Sequence, residues 1–134
     1  MSRRSVAGVV VDTSVWIDFF AGKGAEELEE ALSGGVVILP PIVVAELISG
    51  SAGVQRVAVG ELLQDAPVHP TPLDHWIRVG DLRRELARKG VVVTIPDSHV
   101  AQCALDRDAV LMSRDAVFAQ IARHAPLRLH RRIK

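Results

Sequence analysis

Val9-Val10-Val11-Asp12-Thr13-Ser14-Val15-Trp16-Ile17-Asp18-Phe19-Phe20 opens with a valine-rich apolar run that stops at an acid followed by two hydroxyl residues. The run is too short to cross a bilayer and reads as a buried strand. Asp12 then stands at the strand's carboxyl end, with a helix starting directly after it. The side-chain oxygens of Thr13 and Ser14 can accept from the first amides of that helix. Two roles stay open for Asp12. It is the helix N-cap itself, or it is a site residue at the carboxyl edge of a parallel sheet, where open α/β folds bind their ligands.

Outward from this stretch, short β-like runs alternate with helical patterns, which predicts a doubly wound α/β domain with a mainly parallel sheet. Ala25 to Ser33 reads as a helix with Leu28, Ala31 and Leu32 on one face, ended by Gly34-Gly35. Val36 to Leu39 is the second strand, and Pro40-Pro41 opens a helix at the position where a missing amide costs little. Val54, Val57, Ala58 and Leu62 point inward from the next helix, and Pro67 to His69 is a short edge strand. Leu73 to Lys89 is amphipathic, with Trp76, Val79, Leu82 and Leu86 as its inward stripe. Its other face carries Arg78, Arg83, Arg84, Arg88 and Lys89 among Asp74, Asp81 and Glu85. That face is either solvated and ion-paired, Asp74 with Arg78 and Glu85 with Lys89, or a surface that contacts phosphates.

Gly90 to Ile95 has the composition of a strand, and Pro96-Asp97 then opens a helix with Val100, Ala101, Ala104 and Leu105 inward. Ala109 to Met112 is a further strand, followed by Ser113-Arg114-Asp115. Val117, Phe118, Ile121 and Ala122 define the last helix, Leu127 to His130 a closing strand, and Arg131-Arg132-Ile133-Lys134 a basic tail.

The 134 residues are expected to form one domain, spanning 1–134, large enough to build its own core. With 49% hydrophobic and 24% charged residues, the composition is that of a soluble globular protein. No leader pattern and no membrane-length apolar run is present, so no membrane partner is expected. The single Cys103 excludes an internal disulfide and fits a cytoplasmic location. Lying in an apolar helical pattern, it reads as a small core residue rather than a nucleophile. The formal net charge of +0 means that contact with nucleic acid must come from local patches rather than bulk attraction. Two Trp, three Phe and no Tyr leave little for a base-stacking platform.

Four acids recur at strand ends or in first helical turns: Asp12, Glu46, Asp97 and Asp115. Glu46 follows Val43 and Ile42 at helical spacing, at the margin of a stripe that includes Leu47, and is either wet at that margin or turned toward burial. A parallel sheet brings such positions to one rim. Clustered carboxylates repel, and the usual remedy is a hard divalent cation with oxygen ligands, Mg²⁺ or Mn²⁺. Such a site suits phosphodiester hydrolysis, because the ion lowers the pKa of bound water and shields the phosphate. His69, His75, His99, His124 and His130 are scattered, and no pair has zinc-ligand spacing, so zinc is not expected.

On these residues the chain resembles the PIN-domain family, and within it the VapC-type toxin ribonucleases of toxin–antitoxin pairs. Val10 to Asp18 is similar to the family's opening motif, Val43-Val44-Ala45-Glu46-Leu47 to its glutamate helix, Ile95 to Ala101 to the segment of its third acid, and Leu111 to Asp115 with Phe118 to that of its fourth. The likeness spans nearly the whole chain. It implies a three-layer domain with helices on both faces of a five-stranded, mainly parallel sheet of order 3-2-1-4-5. It also implies that Val91 to Ile95 is more loop than strand. The activity implied is Mg²⁺- or Mn²⁺-dependent endoribonuclease. Asp12 and Asp97 are then the principal metal ligands, and Glu46 and Asp115 bind directly or through water. The implied partners are RNA, a cognate VapB-like antitoxin and a second copy of the chain. Where many relatives carry a further acid two residues after the fourth, Val117 stands here, which favours one firmly held ion. Thr13 or Ser14 and Ser113 could hold waters or a phosphate oxygen, or serve as caps.

Phosphotransfer folds also place acids at strand ends, but a haloacid-dehalogenase-like phosphatase needs an acid at position 14, where Ser stands. A receiver domain needs a phosphoacceptor and a later lysine that are not found. The stronger rival is a catalytically silent binding module of the same fold, in which the acids are caps.

Overall fold

Successive residues of a strand face opposite sides of its sheet, so burial of all three of Val9, Val10 and Val11, at 7%, 0% and 0% exposure, means that both faces are covered. A computed structural model describes residues 8–24 and 26–130. The order is β1 (Val9–Val11), α1 (Thr13–Phe20), α2 (Glu26–Ser33), β2 (Val37–Ile38), α3 (Pro41–Ser49), α4 (Gly53–Asp65), α5 (Leu73–Arg88), α6 (Ile95–Arg107), β3 (Val110–Met112), α7 (Val117–Ala122) and β4 (Arg128–Leu129). All pairings in the β2-β1-β3-β4 sheet are parallel, with Val9 opposite both Val37 and Val110, and Val110 opposite Arg128.

The expected fifth strand is reduced to one parallel bridge, Leu39 to Val68, outside the four-stranded sheet. With that bridge counted, the expected order 3-2-1-4-5 holds. The edge shrinks because Pro67 has no amide to donate, and its segment makes only Leu39 N–H to the Pro67 carbonyl, 3.0 Å, and His69 N–H to the Leu39 carbonyl, 2.8 Å.

Val91 to Thr94 form no strand, as the resemblance implies and composition alone does not. Their backbone groups are taken elsewhere: Val91 N–H donates to the Leu86 carbonyl at 2.8 Å, and Arg83 Nε to the Val93 carbonyl at 2.6 Å. The second helix ends as expected, with Gly35 at φ +68 and Val36 N–H donating back to the Ala31 carbonyl at 3.1 Å. The start expected for that helix, Ala25, and the basic tail 131–134 lie outside the described residues.

Two helices present different faces from those expected. In α5 the buried stripe is His75, Val79 and Leu86 with Leu82 half-buried, while Trp76 is 38% exposed. Val79, Leu82 and Leu86 face inward as expected, and only the first position of the stripe moves, from Trp76 to His75, because His75 finds polar partners inside. In α4, Val54 and Val57 are 87% and 59% exposed and Val59 is buried instead. Around β1 the core is closed by Trp16, fully buried, whose Nε1–H donates to the Val11 carbonyl at 3.2 Å and whose ring packs on Phe19 and Phe20. No helix among the described residues is long and apolar enough to cross a membrane.

Candidate active site at the strand ends

Asp12 is fixed first by the sheet. Its N–H donates to the Met112 carbonyl at 2.9 Å, extending the β1–β3 ladder by one residue. It occupies the N-cap position of α1 in an extended conformation, yet its side chain makes no capping bond. At 8% exposure the carboxylate instead accepts at Oδ2 from two hydroxyls, Ser14 Oγ at 3.1 Å and Ser113 Oγ at 2.9 Å. The capping expected of Thr13 and Ser14 is therefore not what these hydroxyls do. Thr13 Oγ1 donates to the Glu46 carboxylate, and Ser14 Oγ accepts from Arg114 N–H at 3.1 Å.

Glu46 is exposed on α3, on the wet margin beside buried Val43 and Leu47. Asp97 lies half-buried in the first turn of α6, where Thr94 is the cap and accepts from Asp97 N–H at 3.2 Å. Burial pushes the Asp97 carboxyl above its ordinary value. Thr94 pulls it down, and the negative charges of Asp115, Asp12 and Glu46 push it up further. Asp115 is exposed, takes Val117 N–H on Oδ1 at 3.0 Å, and donates its own N–H to Ser113 Oγ at 3.0 Å.

The tertiary structure thus brings the four acids of the sequence into one electrostatic neighbourhood, while their oxygens stand apart. Among the described residues, the group of three ligand-type side chains whose donor atoms lie within 4.8 Å of one another is His69, His75 and Cys103, not the acids. An all-oxygen donor set of four carboxylates has the chemistry of a hard divalent cation site. Val117 is half-buried and packs against the core with Phe118 and Ile121 buried beside it.

One element at the rim escaped sequence reasoning. Arg114 Nε pairs with Asp18 Oδ2 at 2.6 Å, tying the segment after β3 to α1 beside Ser14. Its only signal was its place between Ser113 and Asp115.

A second polar cluster lies between α5 and α6, where the sequence shows only scattered histidines. Asp106 accepts from His75 Nδ1 at 2.9 Å, from Arg78 Nε and its terminal nitrogen at 2.9 and 3.0 Å, and from Gln102 at 2.8 Å. Arg78 thus pairs with Asp106 rather than with Asp74 as expected, while the expected Glu85–Lys89 pair forms at 3.5 Å. His75 Nε2 shares a hydrogen bond with His99 Nδ1, 2.7 Å away, and His99 Nε2 faces the Cys103 thiol at 3.8 Å. Burial, with His75 and His69 nearby, drives His99 down to about 4. Burial, with Asp106 nearby, drives Cys103 up to about 12.

A parallel β2-β1-β3-β4 sheet with Asp12 and Asp115 following the carboxyl ends of β1 and β3 defines a doubly wound α/β domain with its polar rim at the β1/β3 switch. The chain belongs to the PIN-domain family, whose profile matches residues 9–124. No curated protein matches it. Among solved structures, DNA-bound VapBC from Salmonella typhimurium aligns with a TM-score of 0.74 at 23% identity, covering 92% of this chain and 96% of that one. VapBC-5 from Mycobacterium tuberculosis, a member of the VapBC family of toxin–antitoxin systems, aligns at 0.70 and 27%, covering 93% and 98%. VapBC2 from Rickettsia felis, bound to a DNA fragment of the promoter, aligns at 0.72 and 19%, covering 91% and 96%. The fold is shared throughout.

Proposed function

We propose that this chain is the toxin of a type II toxin–antitoxin pair, an endoribonuclease that hydrolyses RNA phosphodiester bonds with Mg²⁺ or Mn²⁺. The observation that carries the reading is the rim where buried Asp12 takes the Ser14 and Ser113 hydroxyls, Ser113 also holds Asp115 and Thr13 holds Glu46, beside Asp97, whose carboxyl is raised first by burial and further by the charges of Asp115, Asp12 and Glu46. Asp12 and Asp97 would hold the ion, with Glu46 and Asp115 binding directly or through water. When bound, such an ion shields the phosphate and makes water a competent nucleophile near neutral pH.

The chain's own groups do the positioning. Ser14 and Ser113 turn both hydroxyl protons onto Asp12 Oδ2, so Asp12 Oδ1 accepts no hydrogen bond among the described residues and is available to a ligand. Thr13 orients Glu46 from the neighbouring helix, and Ser113 spans Asp12 and Asp115. The basic side of α5, through Arg84 and Arg88, would meet RNA phosphates.

A VapB-like antitoxin is the proposed partner, supported by the VapBC complexes that share the fold and by an apolar groove lined by Ile17, Phe20, Leu47 and Val59 beside Glu46. Pairing with a second copy belongs to the same reading. The deciding experiment is cleavage of RNA by the purified chain with Mg²⁺ or Mn²⁺ and with excess chelator. Undiminished cleavage in chelator sinks the mechanism. Absence of cleavage under every metal, with antitoxin binding intact, returns the chain to a silent binding module.

A further inference from the structure

The α5–α6 cluster has a chemistry that the acidic rim does not use. Two imidazoles and one thiol, His69, His75 and Cys103, bring one donor atom each to within 4.8 Å of one another, and all three side chains are buried. Nitrogen and sulfur donors select borderline-soft cations, against the hard ions suited to carboxylates. Asp106 stands behind both imidazoles, 2.9 Å from His75 Nδ1 and 3.7 Å from His69 Nε2. The hydrogen bond fixes the His75 ring and the longer charge contact turns the Nε2 edge of His69 toward the carboxylate, which leaves the opposite nitrogen of each to a metal.

For His69 that opposite nitrogen is Nδ1, a buried side-chain atom with no hydrogen-bond partner, in a residue only 5% exposed. No group among the described residues satisfies this atom, and a buried, unpaired acceptor of this kind is destabilising until a donor or a cation reaches it. The His99 contact with the Cys103 sulfur, at 3.8 Å, is also long.

We propose that His69, His75 and Cys103 form a second cation site, for Zn²⁺ or a related borderline divalent metal, with Asp106 as the carboxylate that orients the two imidazoles. Binding takes His75 through Nε2, so its hydrogen bond with His99 Nδ1 opens. The Cys103 sulfur binds as thiolate and its proton goes to solvent. His99, stacked on Trp76 with ring centroids 4.7 Å apart and planes within 7°, lies outside the three-donor group, which leaves the remaining coordination position to water. The ion would clamp the edge bridge to α5 and α6.

The test uses Co²⁺ as a spectroscopic stand-in on the full chain. Cys103 is its one cysteine, so a thiolate-to-cobalt charge-transfer band reports this site without any variant. The expected result is one band-forming equivalent of Co²⁺ per chain, displaced by Zn²⁺ and untouched by excess Mg²⁺. Asp97→Asn should keep the band, Cys103→Ser should abolish it, and Asp106→Asn should weaken Co²⁺ binding about 10- to 100-fold, as loss of a carboxylate that orients a ligand does. If either cluster variant fails to fold, the parent spectrum still decides. A folded parent with no charge-transfer band at saturating Co²⁺ overturns the proposal. So does a band that persists in folded Cys103→Ser, because the chain has no other thiolate to give it.

Discussion

Ser113 Oγ donates to Asp12 Oδ2 at 2.9 Å across a sequence separation of 101 residues, and the same hydroxyl accepts the Asp115 N–H at 3.0 Å. One side chain thus sets the spacing of two acids on neighbouring strand ends. Orienting partners of this kind typically affect metal affinity or activity by about 10- to 100-fold. Ser113→Ala is expected to lower RNA cleavage by that factor with little change in melting temperature, and Ser113→Thr to restore most of it. Equal activity of the Ala variant and the parent would reduce the contact to a turn feature.

Asp97→Asn removes one negative charge from the rim with little change of shape. Cleavage should fall by orders of magnitude, and the rise in melting temperature caused by Mg²⁺ should largely vanish. Without metal the variant should be at least as stable as the parent, because the parent carries like-charge repulsion there. Thermal scans in chelator and in saturating Mg²⁺, with one cleavage assay, measure all three. Retained cleavage with an unaltered metal response would take Asp97 out of the site.

Val117→Asp distinguishes a missing ligand from a core residue. The side chain packs against the core beside Phe118 and Ile121, so the acid should destabilise by about 1–3 kcal/mol. Chemical denaturation checks the loss. A variant as stable as the parent that gains activity at low metal would show that the position faces the ion.

Arg84→Ala with Arg88→Ala should weaken RNA binding across sequences and flatten its salt dependence by about two phosphate contacts. Arg88 pairs with Glu85 at 2.9 Å on an exposed face, a bond weak enough for RNA to replace. Affinity measured over a salt series reads the slope, and an unchanged slope makes the face a solvated one. Arg131 and Arg132 of the basic tail lie outside the described residues.

Asp106 carries the pH dependence of the α5–α6 contact. Burial alone would raise its carboxyl, but Arg78, His75 and Gln102 more than offset that and hold it well below the usual carboxylate range. A depressed folded-state value stabilises the native state at pH above the unfolded value. That stability is lost as pH falls below about 4. Asp106→Asn should therefore cost about 1.5–3 kcal/mol near neutral pH and shrink the difference from the parent in acid, measured by denaturation in chelator. A pH-independent difference would assign the effect to packing.

The buried valines, the acid at the end of the run, the Pro-opened helices and the spacing of the four acids were all legible in the sequence. Each is a local pattern: period two or continuous burial for strands, period 3.6 for helices, and chemistry placed at their ends. That is enough to define a parallel α/β domain and the family resemblance that the profile match over 9–124 then shows. The edge strand was overestimated because one proline removes a ladder donor. Val91 to Thr94 were ambiguous because β-rich composition cannot reveal that Leu86 and Arg83 claim the backbone.

Tertiary structure alone decided the rest. A hydroxyl after a strand reads equally as a cap or a bridge, and only the β1–β3 register turns Ser14 and Ser113 onto Asp12. Trp76 was the stronger apolar candidate for the α5 stripe, yet His75 is buried there, because Asp106 and His99 on another helix satisfy both of its nitrogens. Periodicity ranks side chains by their affinity for water. It cannot register a partner that reaches the same point in space from a distant part of the chain.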